Sequence, residues 1–497
     1  MSRSNHVLRV AIRILLAAVP VYLLLLIPFP DNPLPKGAGR KPFVWNQDDR
    51  WSSLERRFKE IQRSGCEGLS KKIDSGFART EGLLASLSSQ HPESDTSVFE
   101  AIENGMFDLG PMIAVCPAKL SEYLRLASRI RAMVKRESRT WDMTSLAVRK
   151  RMYRLLYGGR AALEEVMLQA PRDAVPPLGP VDNELSQTPS TRILGVTIHS
   201  GDILVSRGGA ATSALIARGN DFPGNFSHVA LVYVDKQTGV ASIIESHIER
   251  GVSIATLEDY LRDVKLRIMV LRLRADLEGL VADPMIPHKV ARLAIEWAQT
   301  RHIPYDFTMD FRDTAKMFCS EVVSAPYRRY GITLWMGISS ISTPGIVSWL
   351  SAFGVTHFET QEPSDLEYDP QLTVVTEWRD PETLYKDHLD NAVIDALLEG
   401  AESGEKLSYP WYLLPVGRAF KLYSIGLNLF GLIGPVPEGM NPEAALRNIT
   451  FSSRHAAIKE HVIELAETFR RNEGYTAPYW KLLSFARQAK ESLYPFH

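Results

Sequence analysis

The spacing of apolar residues changes twice along the chain and divides it into three parts. Over residues 45–175, apolar residues recur every three or four positions, which predicts a region of amphipathic helices. Residues 190–360 contain short runs of β-branched and aromatic residues, which predict strands. Helical spacing returns over residues 375–497. A segment rich in Pro, Gly, Asn and Asp, from Pro171 to Pro189, predicts the first boundary.

The middle part combines strand and helix patterns within about 160 residues. A β-rich run over residues 227–234 is followed by a turn and a second run over residues 240–245, which together predict a hairpin. Three more strands are predicted: one that starts at Gly201, one over residues 252–254 and one over residues 266–273. Helices are predicted over residues 288–300 and 314–330. The predicted fold class is α+β, with helical regions on both sides.

The N-terminus carries the pattern of a membrane anchor. Arg3, Arg9 and Arg13 precede a 16-residue apolar run from Ile14 to Phe29, and prolines follow it. Such a helix rises about 24 Å, and the preceding turns extend it toward the roughly 30 Å of a hydrocarbon core. We predict an uncleaved signal anchor over residues 1–35, with a cleaved signal peptide and a buried helix as the alternatives.

This anchor would make the chain a single-pass protein of the inner or cytoplasmic membrane. Positive charge before the apolar run keeps that end in the cytoplasm, so the bulk of the chain is expected to be periplasmic or extracytoplasmic. The membrane is then a predicted partner through the N-terminal helix. In an oxidising compartment Cys66 and Cys116 would be able to pair.

Two further segments allow more than one interpretation. Residues 411–435 are apolar except for Arg418 and Lys421, which is typical of a core helix pair and also of a membrane-interface element. The stretch from Arg125 to Arg160 is rich in Arg and Lys. It is expected to form the solvated faces of helices, with contact to anionic lipid or an acidic polymer as the alternative.

Composition excludes several classes of protein. The chain has 497 residues, 57 basic and 58 acidic, and this balance argues against a nucleic-acid binder. Hydrophobic residues make up 45% and charged residues 23%, which excludes wholesale disorder. Its three cysteines are too few for a disulfide scaffold and too scattered for a zinc ribbon. Because the number is odd, at least one thiol is free.

Three residues of the middle part have the chemistry of a cysteine hydrolase. Alternation places His228 on one strand face, and Glu245 ends the neighbouring predicted strand. Cys319 lies near the start of a predicted helix. A helix N-terminus and a nearby imidazolium both favour the thiolate, and a carboxylate can fix the tautomer of the histidine.

Each of these residues also has a purely structural interpretation. A single cysteine is most often a buried small hydrophobe, and a single histidine on a strand is more often structural. Glu245 is harder to explain that way, because a carboxylate among isoleucines is costly without a partner. His247 is either the orienting group or a bystander. A zinc site from His228, His247 and Cys319 lacks a closely spaced ligand pair, so we predict no metal and no cofactor.

The order of the motifs resembles the YiiX/YaeF-like permuted papain-like amidases, relatives of NlpC-type cysteine peptidases and of the lecithin:retinol acyltransferase group. In that circularly permuted fold the histidine strand precedes the nucleophile helix, as His228 precedes Cys319 here. The resemblance covers roughly residues 198–350. The segments that carry it are Gly201-Asp202-Ile203-Leu204, Ser227-His228-Val229-Ala230-Leu231-Val232, Ile243-Ile244-Glu245-Ser246, Pro304-Tyr305-Asp306 and Phe318-Cys319-Ser320-Glu321-Val322-Val323.

The resemblance implies a nucleophile, a base and an orienting residue: Cys319, His228 and Glu245. It implies that Tyr305 and Asp306 shape the substrate cleft. We also place Ser227 and Ser320 in this cleft, because they adjoin His228 and Cys319 in sequence. Ser246 departs from the pattern, since the family often has alanine there, and the flanking helical regions have no recognised counterpart.

The predicted function is a membrane-anchored cysteine hydrolase that cleaves an amide, such as a cell-wall peptide, through an acyl-enzyme. Three alternatives stay open: a lipid-acyl hydrolase, an acyltransferase of the same fold, and a catalytically silent binding scaffold. The scaffold would have a buried Cys319 that resists thiol reagents.

Overall fold

The structure, a computed structural model, describes residues 16, 19–28, 34–44, 48–87, 92–179 and 181–495. Residues 19–25 are helical. The helices of the N-terminal region are α1 (Asp48–Ser64), α2 (Ser70–Leu87), α3 (Ser97–Val115), α4 (Leu120–Glu137), α5 (Leu146–Tyr153) and α6 (Gly159–Gln169). Short 3-10 or π turns occupy Pro117–Lys119, Ser138–Thr140, Arg154–Gly158 and Arg172–Ala174.

The middle part alternates strands and helices. Its strands are β1 (Ser190–Ile193), β2 (Val196–His199), β3 (Ile203–Gly208), β4 (His228–Val234), β5 (Ala241–His247), β6 (Gly251–Thr256), β7 (Lys265–Leu273), β8 (Ser339–Ser340), β9 (Glu359–Thr360) and β10 (Leu372–Trp378). Its helices are α7 (Ala211–Arg218), α8 (Leu257–Arg262), α9 (Glu278–Ala282), α10 (Ile286–Thr300), α11 (Glu321–Arg329) and α12 (Pro344–Ser351).

The C-terminal region is helical. Its helices are α13 (Pro381–Glu402), α14 (Leu414–Asn428), α15 (Pro442–Glu473) and α16 (Tyr479–Leu493), with 3-10 turns at Pro363–Tyr368 and Trp411–Leu413.

A six-stranded antiparallel sheet organises the middle part, in the order β10-β7-β3-β4-β5-β6. The predicted hairpin forms, with Leu231 of β4 opposite Ile244 of β5. Both faces of the sheet are covered, which explains why β4 is apolar almost throughout. Val229 and Leu231 belong to the core that α10 and α11 complete, whereas Ala230 and Val232 face the core beneath β1 and β2. The mixture of helices and sheet confirms the α+β prediction.

Buried ion pairs join the sheet to both helical regions, and we call this cluster the joint. Arg267 of β7 donates to Glu164 of α6 at 2.8 Å and also bonds Asp387 of α13. Asp387 lies 3.1 Å from Arg207 of β3, and the side chains of both are fully buried. His388 Nε2 lies 3.0 Å from Glu164. All three parts of the chain therefore meet at one charged cluster.

The cysteines of the helical region are paired. Cys66, just before α2, forms a disulfide with Cys116, at the end of α3, with 5.4 Å between the Cα atoms. Cys319 is the free cysteine.

The predicted single-pass membrane location is wrong. The predicted anchor lies partly outside the described residues, and no helix in the described ranges is long and apolar enough to cross a membrane. A span needs about 20 apolar residues. The apolar helix α14 has 15 residues, and the longer helices α13 and α15 are interrupted by charges. The structure therefore does not support a membrane partnership through the N-terminal helix.

The interpretation of residues 411–435 as a core helix pair is also wrong. The structure has one helix there, α14, and only Leu414, Pro415, Gly417 and Ser424 of it are buried. Most of its large apolar side chains, including Phe420 and Leu422, face outward. Hydropathy alone did not separate a helix buried in a core from one with an exposed apolar face.

Candidate active site

Strand register brings His228 and Glu245 together. β4 and β5 are antiparallel, with Ala230 directly opposite Glu245. Because side chains alternate along a strand, His228 lies on the same face as Ala230, and so does Glu245. The His228 Nε2 and Glu245 Oε2 atoms are 2.9 Å apart. A histidine and a carboxylate 17 positions apart in sequence are thus in direct contact.

The Glu245 carboxylate is shared with a second histidine. His247, on the same face of β5, places its Nε2 atom 2.9 Å from Glu245 Oε1. The rings of His228 and His247 stack with 5.4 Å between their centroids. Burial raises the pKa of Glu245, but the hydrogen bonds from the two imidazoles outweigh this effect and hold the pKa below its usual value. Glu245 is therefore ionised at neutral pH.

Burial controls the charge of His228. It lowers the pKa of the imidazole, and Glu245 offsets this only in part. The neutral imidazole donates its Nε2 proton to Glu245, because an ionised carboxylate can only accept. Nδ1 is then the nitrogen with a free lone pair, so His228 is held in the tautomer of a base.

Cys319 lies in the turn that precedes α11. The turn is fixed by its own helix, because the Phe318 amide donates to the Glu321 carboxylate at 3.1 Å. The sulfur adjoins the start of β4, where the Val229 amide hydrogen-bonds to it. Val229 follows His228 in sequence, so this contact brings the thiol next to the backbone of the histidine.

The thiol is 5% exposed and burial raises its pKa to about 12. The amide of Val229 and the amide and hydroxyl of Ser320 favour the thiolate but do not outweigh burial. In this state the Cys319 thiol and the His228 imidazole are both neutral at pH 7, so neither carries the charge of a thiolate or an imidazolium.

The predicted cleft residues have different surroundings. Tyr305 is half-buried and lies near Cys319. Burial raises the pKa of the Tyr305 hydroxyl, and a thiolate on Cys319 would raise that pKa further. Asp306 is buried, and its carboxylate accepts hydrogen bonds from the backbone amides of Thr308 at 2.9 Å and Asp310 at 2.8 Å. Asp306 therefore fixes the conformation of the loop that follows it. Ser227 is buried, and its hydroxyl has no hydrogen-bond partner among the described residues.

Comparison with known families assigns the sheet domain. Residues 197–376 match the sequence model of the permuted papain-like amidase enzymes, the YaeF/YiiX or C92 family. This segment is a permuted papain-like amidase domain. Members of this family are cysteine-dependent hydrolases, so the chain is an enzyme of this kind. None of the curated proteins matches the chain.

The amidase domain contains the whole contact between His228 and Glu245, and it also contains Cys319. Its boundaries run from β2 into β10 and leave out the N-terminal helices and α13–α16. The joint residues Glu164 and Asp387 come from those outer regions. The helical regions therefore support the sheet of the amidase domain without supplying any of its three candidate catalytic residues.

Ser246 links β5 to the nucleophile turn, a contact that the sequence did not predict. Its hydroxyl donates to the carbonyl oxygen of Met317 at 2.6 Å and so ties β5 to the segment just before Cys319. Met317 in turn donates its amide to Pro304 at 3.0 Å. The only sequence signal was the departure from alanine at this position.

Two buried acids near Cys319 were also missed. Burial raises the pKa of Glu362 to about 8, and Asp365 adds to the shift. Burial likewise raises the pKa of Glu321 to about 9, against the hydrogen bond from Phe318. Both are neutral at pH 7, so the surroundings of the sulfur carry little negative charge. No spacing pattern in the sequence distinguishes them from ordinary helix or loop acids.

One set of side chains has the donors for a metal ion. Atoms of His228, Glu245 and His247 lie within 4.8 Å of one another. Two imidazoles and a carboxylate suit zinc and similar ions. This set differs from the predicted alternative, which used Cys319 in place of Glu245. It also coincides with the hydrogen bonds that orient His228, so an ion bound there would compete with the base.

Proposed function

We propose that Cys319, His228 and Glu245 hydrolyse an amide bond of a peptide-type substrate through an acyl-enzyme. The observation that carries this proposal is the shared carboxylate of Glu245, which orients His228 at the point where β4 meets the nucleophile turn. An ionised carboxylate buried beside a neutral imidazole is the arrangement that a general base requires. The family of the domain supports the same chemistry.

The reaction begins with the Cys319 thiol and the His228 imidazole both neutral. As the Cys319 sulfur attacks the carbonyl carbon, its proton moves to His228 Nδ1 and the carbonyl oxygen becomes an oxyanion. The Ser320 amide, which faces the sulfur, is placed to stabilise that oxyanion. The imidazolium is stabilised by Glu245 until it protonates the leaving nitrogen. The carbon–nitrogen bond then breaks and leaves a thioester on Cys319.

Hydrolysis returns the enzyme to its starting state. Water attacks the thioester and gives a proton to His228 Nδ1. The carbon–sulfur bond breaks, the product leaves as a carboxylic acid, and the proton returns to the sulfur. Because the resting thiol is protonated, His228 acts as a true base in the first step and does not start as an imidazolium.

The proposed substrate is a cell-wall stem peptide, which is rich in amide bonds. The test is release of peptides from purified cell wall by the wild-type chain and by Cys319→Ala. We expect a loss of about 10³-fold or more in the variant, because the covalent step is removed. Cys66 and Cys116 form a disulfide, so the loss would be specific to the free thiol. Peptide release that persists in Cys319→Ala would contradict the proposal.

A second candidate is hydrolysis or transfer of a lipid acyl group. It is favoured by the exposed apolar face of α14, which continues into a segment that packs beside Tyr305 and Phe307. The same variant tested on acyl lipids distinguishes this activity from peptide release. Capture of the acyl group by an added amine or alcohol would indicate transfer and not hydrolysis.

A further inference from the structure

A continuous apolar surface lies outside the amidase domain. It is formed by α14 with the turn that follows it, residues 429–433, and by the helical residues 19–25, and we call it the apolar face. Leu429 and Phe430 are 81% and 82% exposed, and Trp411 and Phe420 are also exposed. Large apolar patches of this kind are rare on proteins that contact only water.

Specific hydrogen bonds hold the two parts of the apolar face together. The Tyr22 hydroxyl donates to the Tyr412 carbonyl oxygen at 2.8 Å. Arg418 donates to the carbonyl oxygens of Leu25 at 2.9 Å and Ile27 at 2.7 Å. The N-terminal segment is therefore built against α14, and the apolar face is a formed surface.

The charged groups of this segment point away from the apolar face. Arg418 is occupied by the N-terminal carbonyls, and Lys421 donates to the carbonyl oxygens of Pro437 at 2.8 Å and Glu438 at 2.6 Å. Residues 411–435 contain no Asp or Glu. The exposed side chains are aliphatic or aromatic, and Trp and Tyr are the residue types that favour the membrane–water interface.

Charge in the adjoining sequence identifies the occupant. Residues 1–30 carry Arg3, Arg9 and Arg13 and no acidic residue. A second copy of the chain would bring the same positive charge, which disfavours self-association through this face. Anionic headgroups are complementary to this charge, and an apolar helix face joined in sequence to basic residues is a combination that binds lipid surfaces.

We propose that the apolar face docks the protein onto the surface of a phospholipid bilayer that contains anionic lipid. The contact is with one leaflet and needs no spanning helix. Residues 434–441, which follow α14, pack Val436 and Met440 against Ile248 and Phe307. Ile248 follows His247 in sequence and the Phe307 ring lies 5.0 Å from Tyr305, so docking would hold the candidate active site near the lipid. The docking itself does not depend on the proposed function.

Vesicle co-sedimentation of the full chain tests the proposal. The probes are vesicles of phosphatidylethanolamine with phosphatidylglycerol, and vesicles of phosphatidylcholine alone. The double variant L429E/F430E should reduce the partition coefficient on anionic vesicles by tenfold or more, and binding to phosphatidylcholine should be weaker than binding to anionic vesicles for the wild type. The milder L429S/F430S variant should show an intermediate loss and guards against misfolding.

The matched control is V264E/V281E, which changes two exposed apolar residues outside the apolar face. It should bind vesicles as the wild type does, with the same thermal unfolding curve. The proposal is overturned if L429E/F430E binds anionic vesicles like the wild type. It is also overturned if sedimentation equilibrium shows a dimer that L429E/F430E dissociates, because the face would then be covered by a second copy.

Discussion

The candidate active site and the joint both bury carboxylates, but they give them different partners. In the joint, Glu164 is paired with Arg267, whose guanidinium is charged at every physiological pH. In the active site, Glu245 is paired with the imidazoles of His228 and His247, and burial lowers the pKa of His228 so that its ring is neutral at pH 7. Although His388 also contacts Glu164, the permanent charge of Arg267 makes the joint a structural connection. In the active site a histidine takes the place of the arginine, and its imidazole can accept and release a proton.

The largest expected effect comes from removing the charge of the Glu245 carboxylate. Glu245→Gln keeps the size of the side chain but loses the anion that holds the Nε2 proton of His228. We expect kcat/KM for peptide release to fall by about 10²- to 10⁴-fold. The measurement is a steady-state assay on purified cell wall. The control is Glu258→Gln, an exposed acid whose side chain is 85% accessible; equal losses in both variants would contradict a special role for Glu245.

A substitution in the joint should lower the free energy of unfolding and leave the chemistry of the active site unchanged. Arg267→Leu leaves Glu164 and Asp387 buried without their main cation. We expect the free energy of unfolding to fall by about 3–5 kcal/mol, since breaking a buried pair leaves an uncompensated charge. Denaturant unfolding measures this. Arg262→Leu, which removes an exposed pair with Glu258, should cost about 1 kcal/mol or less, and a similar loss in both variants would contradict the importance of the joint.

The pH dependence of the thiol sharpens the same contrast. Because burial raises the pKa of Cys319 to about 12, alkylation by iodoacetamide should be slow at neutral pH and rise steadily up to pH 10. The disulfide leaves Cys319 as the free thiol, so mass spectrometry of the labelled peptide reports it alone. A labelling rate that levels off near pH 7 would show a preformed thiolate and contradict the neutral state of the thiol. Slow labelling is also what the scaffold alternative predicts for a buried Cys319, so this experiment tests the protonation state, and loss of peptide release in Cys319→Ala separates the enzyme from the scaffold.

The acid limb of activity should follow His228. Its folded-state pKa is lowered, so the neutral imidazole is present above about pH 6.5 and is lost as the pH falls through the lowered value. Activity should therefore fall on the acid side below about pH 6.5, while the arginines of the joint stay charged. A kcat/KM profile across pH 4–8 measures this, and an acid limb above pH 7 would contradict it.

The smallest expected effect is at Ser246. Ser246→Ala removes one hydrogen bond to Met317 and leaves a carbonyl oxygen unpaired. We expect a loss of about 1 kcal/mol in stability, together with a modest fall in kcat at unchanged KM, because the nucleophile turn is less firmly placed. Thermal unfolding measures the loss of stability, and steady-state kinetics with separate kcat and KM values measure the effect on activity. A change in KM alone would contradict the positioning role.

These contrasts also show what the sequence was able to predict. Alternation along β4 predicted one strand face for His228, and the predicted hairpin put Glu245 on the neighbouring strand. The register that sets Ala230 opposite Glu245 was not predicted and comes from the structure. The predicted helix over residues 314–330 was too long, since α11 begins at Glu321 and the preceding residues form turns held by side chains such as that of Asp313.

Tertiary contacts account for the rest. The joint depends on Glu164, Arg267 and Asp387, which are more than 100 residues apart and carry no local pattern. The raised pKa of Cys319 depends on burial, which the free-thiol value cannot predict. The exposure of α14 depends on which of its faces packs against the rest of the protein, and the hydropathy of the segment does not contain that information. Spacing rules predict local faces, but not the contacts that set charge and exposure.

The central claim is that Glu245 acts through His228 on Cys319 as one unit. The most direct measurement is the rate of acetylation of Cys319 by p-nitrophenyl acetate, followed by intact-protein mass spectrometry, in the wild type, Glu245→Gln, His228→Asn and the double variant. The account predicts that Glu245→Gln slows acetylation strongly in the wild type and has no further effect in His228→Asn. Equal slowing by Glu245→Gln in both backgrounds would contradict it.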